Sequence, residues 1–93
     1  MNDLTGYRQE IDEVDEQILD LLSKRQAIVI KMAHLKKASK VSAYQPQRHD
    51  FVISKQKASA IEHGLDPKLV AGIWQSLMHE AIRLQTQILE KKP

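Results

Sequence analysis

The sequence predicts an all-α fold of three helices: long, short and long. Three observations carry this. Apolar residues recur at alternating steps of three and four over two extended stretches. Only three Gly and three Pro interrupt 93 residues. Aromatic residues, at 4%, are too few for a small β-barrel or sandwich. A chain this short forms one domain, residues 1–93. Three helices of that size bury little surface on their own, so a second copy is the natural source of further core. Self-association into a helical dimer would supply it.

The first helix runs from Leu4 to about Lys37, with Asp3 or Thr5 where an N-cap is expected. Leu4, Tyr7, Ile11, Val14, Ile18, Leu21, Ile28, Met32 and Leu35 form a heptad seam. Neither Gly nor Pro occurs between Tyr7 and Lys37. At ~1.5 Å per residue the helix is roughly 50 Å long, which suits packing against another chain better than closure within one. Lys40 to Pro46 reads as a loop, with Pro46 in the first turn of the next helix. The second helix covers about Gln47 to Glu62, with a weak apolar face of Phe51, Val52, Ala58 and Ile61. Gly64 stops it, and Asp66-Pro67 supplies an N-cap and a first-turn proline for the third. That helix, about Pro67 to Glu90, has a seam of Val70, Ile73, Trp74, Leu77, Ala81, Leu84 and Ile88.

Composition excludes several functions. The net charge of +2 comes from dispersed lysines, which argues against a nucleic-acid partner. No run of 18 apolar residues is present, so no membrane span is expected, and the polar N-terminal segment lacks the apolar core of a secretory signal. With no cysteine there is neither disulfide nor thiol chemistry, which fits a cytoplasmic protein. His34, His49, His63 and His79 lack metal-motif spacing, and no Gly-rich phosphate loop or nucleophile motif occurs. Chemistry here has to proceed without metal, covalent attack or an evident acid–base pair.

Polar residues that interrupt the apolar pattern are the candidates for function. Arg25 falls where the seam of the first helix calls for an apolar side chain. Its charge needs compensation, either from Asp15 or Asp20 or from a bound anion. Lys36 is rotated from Arg25 by only about 20° and displaced by roughly 16 Å, so the two share a face. It either snorkels from a helix end or helps enclose a ligand. Arg8 is roughly 25 Å from Arg25 on a straight helix and joins it only from an antiparallel partner; otherwise it is a solvated residue. Gln85 interrupts the stripe Trp74, Met78, Ala81, Ile88 and needs partners for both donors and acceptor, from backbone or ligand. Arg48, at the start of the second helix, is a surface arginine or binds an anion with the free amides there.

The run Arg8-x-x-Ile11-Asp12, Val14-Asp15, Ile18, Leu21-Leu22, Lys24-Arg25 and Lys36 resembles the first helix of the all-helical chorismate mutases. Tyr44-Gln45-Pro46-Gln47-Arg48 resembles the start of their second helix, and Gly64-Leu65-Asp66-Pro67, Ile73-Trp74 and Ile82-Arg83-Leu84-Gln85 resemble the third. The resemblance covers nearly the whole chain in order. It implies an intertwined homodimer with two shared sites, no cofactor, and a small dianionic substrate. Arg25 and Arg48, with Arg8 from the other protomer, would bind the substrate carboxylates, and Lys36 and Gln85 would meet the ether oxygen of the breaking bond. The implied reaction is the pericyclic conversion of chorismate to prephenate, in aromatic amino acid biosynthesis.

Two departures stand out. Gln45 and His49 occupy positions where many family members carry acidic groups for the substrate's C4 hydroxyl, and Ala81 replaces a serine that helps hold a carboxylate. A related lyase that converts isochorismate to salicylate and pyruvate, and a 4-amino-4-deoxychorismate mutase, are the alternatives within this scaffold. Outside it, the alternative is a helical dimerisation module in which Arg25 and Gln85 set register.

Overall fold

A computed structural model describes residues 3–91, and among these it contains three helices and no strand. They are α1 (Leu4–Ser39), α2 (Pro46–Glu62) and α3 (Pro67–Glu90). Their ends follow local chemistry. Asp3 is the N-cap of α1, through its carbonyl, which accepts from the Tyr7 amide at 3.1 Å. At the other end Lys40 takes the left-handed conformation (φ 57°), and the Val41 amide reaches back to the Lys36 carbonyl at 2.9 Å. This closing turn spends the orphan carbonyls of the last helical turn. Gly64 (φ 71°) closes α2 in the same way, with the Leu65 amide on the Ala60 carbonyl at 2.8 Å. A residue without Cβ adopts that backbone at no steric cost. Asp66 caps α3 by accepting from the Lys68 amide at 2.9 Å, with Pro67 in the first turn.

Helix α3 packs against both α1 and α2, which do not approach each other closely. The buried apolar residues are Val29, Ala33, Val52, Ala60, Val70, Ala71 and Ala81, all small, and no large side chain is fully buried among the described residues. The radius of gyration is 17.0 Å, against roughly 12 Å for a compact domain of this length. The excess comes from α1, whose residues from Asp3 to Leu21 are all exposed.

The seam of α1, read from the sequence as suited to packing against another chain, does not pack within this one: Ile11 is 58% exposed, Ile28 57% and Leu35 67%. The side of α1 toward α3 is a neighbouring stripe of Leu22, Arg25, Val29, Ala33 and Lys36, buried or half-buried. A seam with a 3.5-residue repeat drifts around a 3.6-residue helix, which separates the two stripes. On α2, Phe51, Ala58 and Ile61 are exposed, and Val52 and Ala60 are the buried residues. The predicted seam of α3 holds better, with Ile73 the exposed exception and Ala71 an addition.

Candidate active site

The stripe on α1, the first turn of α2 and the middle of α3 enclose an open cleft of roughly 300 Å³. Arg25, Lys36, Gln45, Arg48, His49, Ala81 and Gln85 all line it. Seven of the eight candidates from sequence are thus brought together by all three helices. The eighth, Arg8, lies on the exposed part of α1, roughly 25 Å along the helix from Arg25, and does not line this cleft.

Lys36 and Gln85 form the floor. The Lys36 ammonium donates to Gln85 Oε1 at 2.7 Å and, more weakly, to the Ala43 carbonyl at 3.4 Å. An ammonium only donates, so the amide oxygen must face Lys36 and the amide nitrogen must face away from it. Gln85 is 5% exposed, yet no buried side-chain nitrogen or oxygen among the described residues lacks a partner. Its Nε2 donors are therefore accessible from the cleft that Gln85 lines. One Lys36 donor also remains unspent. Two adjacent donor groups, one charged, are thus fixed before any ligand arrives. Burial lowers the Lys36 pKa below the ordinary lysine value, because desolvation disfavours the ammonium.

Arg25 is half-buried and makes no ion pair with Asp15 or Asp20, so the intramolecular alternative is not realised among the described residues. The Arg48 guanidinium lies 5.4 Å from the centre of the Phe51 ring, a cation–π contact that leaves its N–H groups free of carboxylate. At the N-terminus of α2, Gln45 is the N-cap residue but its side chain does not cap, and no acidic residue occupies the first turn. The His49 ring meets the Tyr44 ring edge-on at 6.0 Å and 70°. Ala81 is buried against the cleft and offers no polar group.

No Asp or Glu lines this cleft. Three cationic side chains therefore face one cavity with no carboxylate in its lining, an arrangement suited to a small molecule bearing two negative charges. The apolar walls, among them Val29, Val52 and Met78, suit a hydrocarbon ring between those charges. Tyr44 and the Ala43 carbonyl also belong to the site and were not anticipated; their only sequence signal is position, in the loop just before α2.

The sequence model of the family described as chorismate mutase type II matches residues 7–86. A chorismate mutase of Methanocaldococcus jannaschii is 28% identical over 95% of this chain and 89% of its own length. A 4-amino-4-deoxychorismate mutase of Streptomyces venezuelae is 25% identical over 98% of this chain and 88% of its own. The T-protein of Enterobacter agglomerans is 30% identical over 85% of this chain, which spans only 21% of that longer protein.

Proposed function

This chain belongs to the chorismate mutase type II family, and from that premise we propose that it isomerises chorismate to prephenate in a cleft completed by a second copy of itself. The observation that carries the reading is the cleft's cluster of cations, Arg25, Lys36 and Arg48, unaccompanied by any carboxylate. Empty, such a cluster is electrostatically unfavourable; filled by a dianion, it becomes a binding site.

In this reading Arg25 and Arg48 hold the two substrate carboxylates and so favour the compact conformer in which the reacting carbons meet. Positioning of this kind removes much of the entropic barrier. The ring C–O bond then breaks as a C–C bond forms, within one cycle of six electrons and with no proton transferred. Negative charge gathers on the ether oxygen. The unspent Lys36 donor and the Gln85 amide neutralise it, and they act most strongly where that charge is greatest, in the transition state.

The dimer belongs to the same proposal. The exposed seam Leu4, Tyr7, Ile11, Val14, Ile18 on α1 is too apolar and too continuous to stay in water. An antiparallel copy would cover it and bring its own Arg8 beside Arg25 as a third cation for the substrate. Within the same chemistry, 4-amino-4-deoxychorismate is the alternative substrate, supported by the Streptomyces relative.

The test is a paired assay with purified protein: chorismate with prephenate followed, and isochorismate with salicylate followed. Prephenate formation without salicylate is expected. Salicylate without prephenate would replace the isomerase by a lyase on the same scaffold.

A further inference from the structure

Resting on the two-chain site proposed above, we infer that the partner's Tyr7 seats in the groove between α1 and α3 and, from there, aims the Arg25 guanidinium into the cleft.

The groove is the first ground. It measures about 170 Å³ and runs beside the cleft, with Arg25, Val29 and Ala81 common to both. Leu22, Leu77 and Leu84 make its walls apolar, while Gln26 and Glu80 give it a polar edge. That lining suits a side chain with an apolar body and a polar tip. Arg25 is half-buried and in no ion pair among the described residues, and it borders both spaces, so within one chain its guanidinium has two open sides.

Register is the second ground. An antiparallel copy of α1 can meet the seam in positions one heptad apart, and Arg25 decides between them. With the two-fold axis at Glu16, Leu4 lies opposite the partner's Ile28, Ile11 opposite the partner's Leu21, Val14 opposite the partner's Ile18, and Arg25 opposite the partner's Tyr7. The one cation of the overlapping seam thus meets its one aromatic ring. The flanking charges agree: Glu10 falls beside the partner's Lys24 and Asp3 beside the partner's Lys31, and none of these is in an ion pair within its own chain among the described residues. A shift of one heptad sets Arg25 against the partner's Val14 and buries an unpaired charge. The opposite shift leaves Arg25 outside the overlap and Ile28 bare.

The ring has reason to move into the groove. Tyr7 is 63% exposed in the single chain, and seating it withdraws apolar area from water. Its face then meets the guanidinium as a cation–π contact. With the groove side filled, the Arg25 N–H donors are left the cleft side, where the substrate carboxylate binds. Tyr7 is a positioning residue in this arrangement: it acts through Arg25 and touches no reacting atom.

The experiment has two arms. The chain contains no cysteine, so introduced pairs report the register without background. Ile11→Cys with Leu21→Cys is compared with Ile11→Cys with Ile28→Cys in a thiol–disulfide buffer. Along one helix these pairs are roughly 15 and 26 Å apart, too far to bridge, so any disulfide joins two chains. A covalent dimer is expected from the first pair and not from the second. The reverse, or no cross-link from either, overturns the register. The second arm follows prephenate formation. Tyr7→Ala should raise KM for chorismate about tenfold and change kcat less than about threefold, because Arg25 holds a carboxylate in ground state and transition state alike. Tyr7→Phe, which keeps the ring, should restore KM to within about twofold. Sedimentation confirms that each variant remains a dimer; should Tyr7→Ala not, Tyr7→Leu decides, since it keeps an apolar side chain without the ring. An unchanged KM in a dimeric ringless variant overturns the positioning role and leaves the isomerase reading intact. No turnover by the unaltered protein sinks the isomerase reading, and with it the role of Tyr7 toward substrate, while the cross-links still decide the register.

Discussion

Replacing Lys36 by methionine separates the catalytic role of its charge from its structural role. Methionine keeps most of the aliphatic stem and removes the ammonium. In the folded protein the change deletes two hydrogen bonds, one to Gln85 Oε1 at 2.7 Å and a weaker one to the Ala43 carbonyl at 3.4 Å. Gln85 is 5% exposed, so its orphaned oxygen costs about 1–3 kcal/mol. Against this, the ammonium is itself held at a desolvation cost, as its lowered pKa records, and the substitution relieves it. The net change in stability should stay below about 2 kcal/mol. The effect on the reaction should be much larger. Losing a donor aimed at developing negative charge costs on the order of 10²–10³ in kcat, about 3–4 kcal/mol. Steady-state rates of prephenate formation should show this loss mainly in kcat, with KM changing less, because the interaction is strongest in the transition state. Thermal melting in parallel confirms that the variant folds. A folded Lys36→Met protein with kcat within about fivefold of the original would refute the assignment.

Other predictions follow from the same geometry. The lowered Lys36 pKa places the alkaline limb of kcat/KM below the pH at which an ordinary lysine titrates, with activity present below that folded-state pKa and lost above it. Over the window between the folded and unfolded Lys36 pKa values the unfolded chain binds more protons, so this residue's contribution to stability rises with pH; an alkaline limb at or above the ordinary lysine value contradicts the assignment. Arg25→Ala should abolish the rise in melting temperature that chorismate produces, a stabilisation of about 2.7 kcal/mol at a hundred times Kd in the original protein; a retained shift argues that Arg25 is structural. Ile11→Asp, at a seam position 58% exposed in the single chain, should reduce the two-chain mass seen by sedimentation and lower the melting temperature; an unaltered mass and melting point count against the proposed interface.

The helices were legible because their punctuation is local. Gly64, the Asp66-Pro67 pair and the uninterrupted stretch after Tyr7 each act through a single turn of backbone. Packing was less legible. The seam of α1 was recognised as apolar and read as suited to another chain, and it is exposed within this one; the neighbouring stripe that packs on α3 was not read from the periodicity, which reports that a face is apolar and not what covers it. The face of α2 was misread because its buried residues, Val52 and Ala60, are small, while the bulkier Phe51 and Ile61 are exposed. The site was visible to the extent that it violates the pattern: Arg25, Lys36 and Gln85 are polar residues on otherwise apolar stripes, and they do line one cleft. Tyr44 and the Ala43 carbonyl violate nothing. A loop residue, or a backbone oxygen, acquires its place only when the chain between α1 and α2 folds over the Lys36 ammonium.

Subunit mixing tests the central claim, that cations from two chains converge on one cleft, most directly. Arg8→Ala and Lys36→Ala proteins, each inactive alone, are combined under conditions that let chains exchange. Half the dimers then pair one chain of each kind, and each such dimer holds one site with both residues intact. Recovery of about a quarter of the original activity is predicted. No recovery, with exchange verified by mass, would contradict a site shared between protomers.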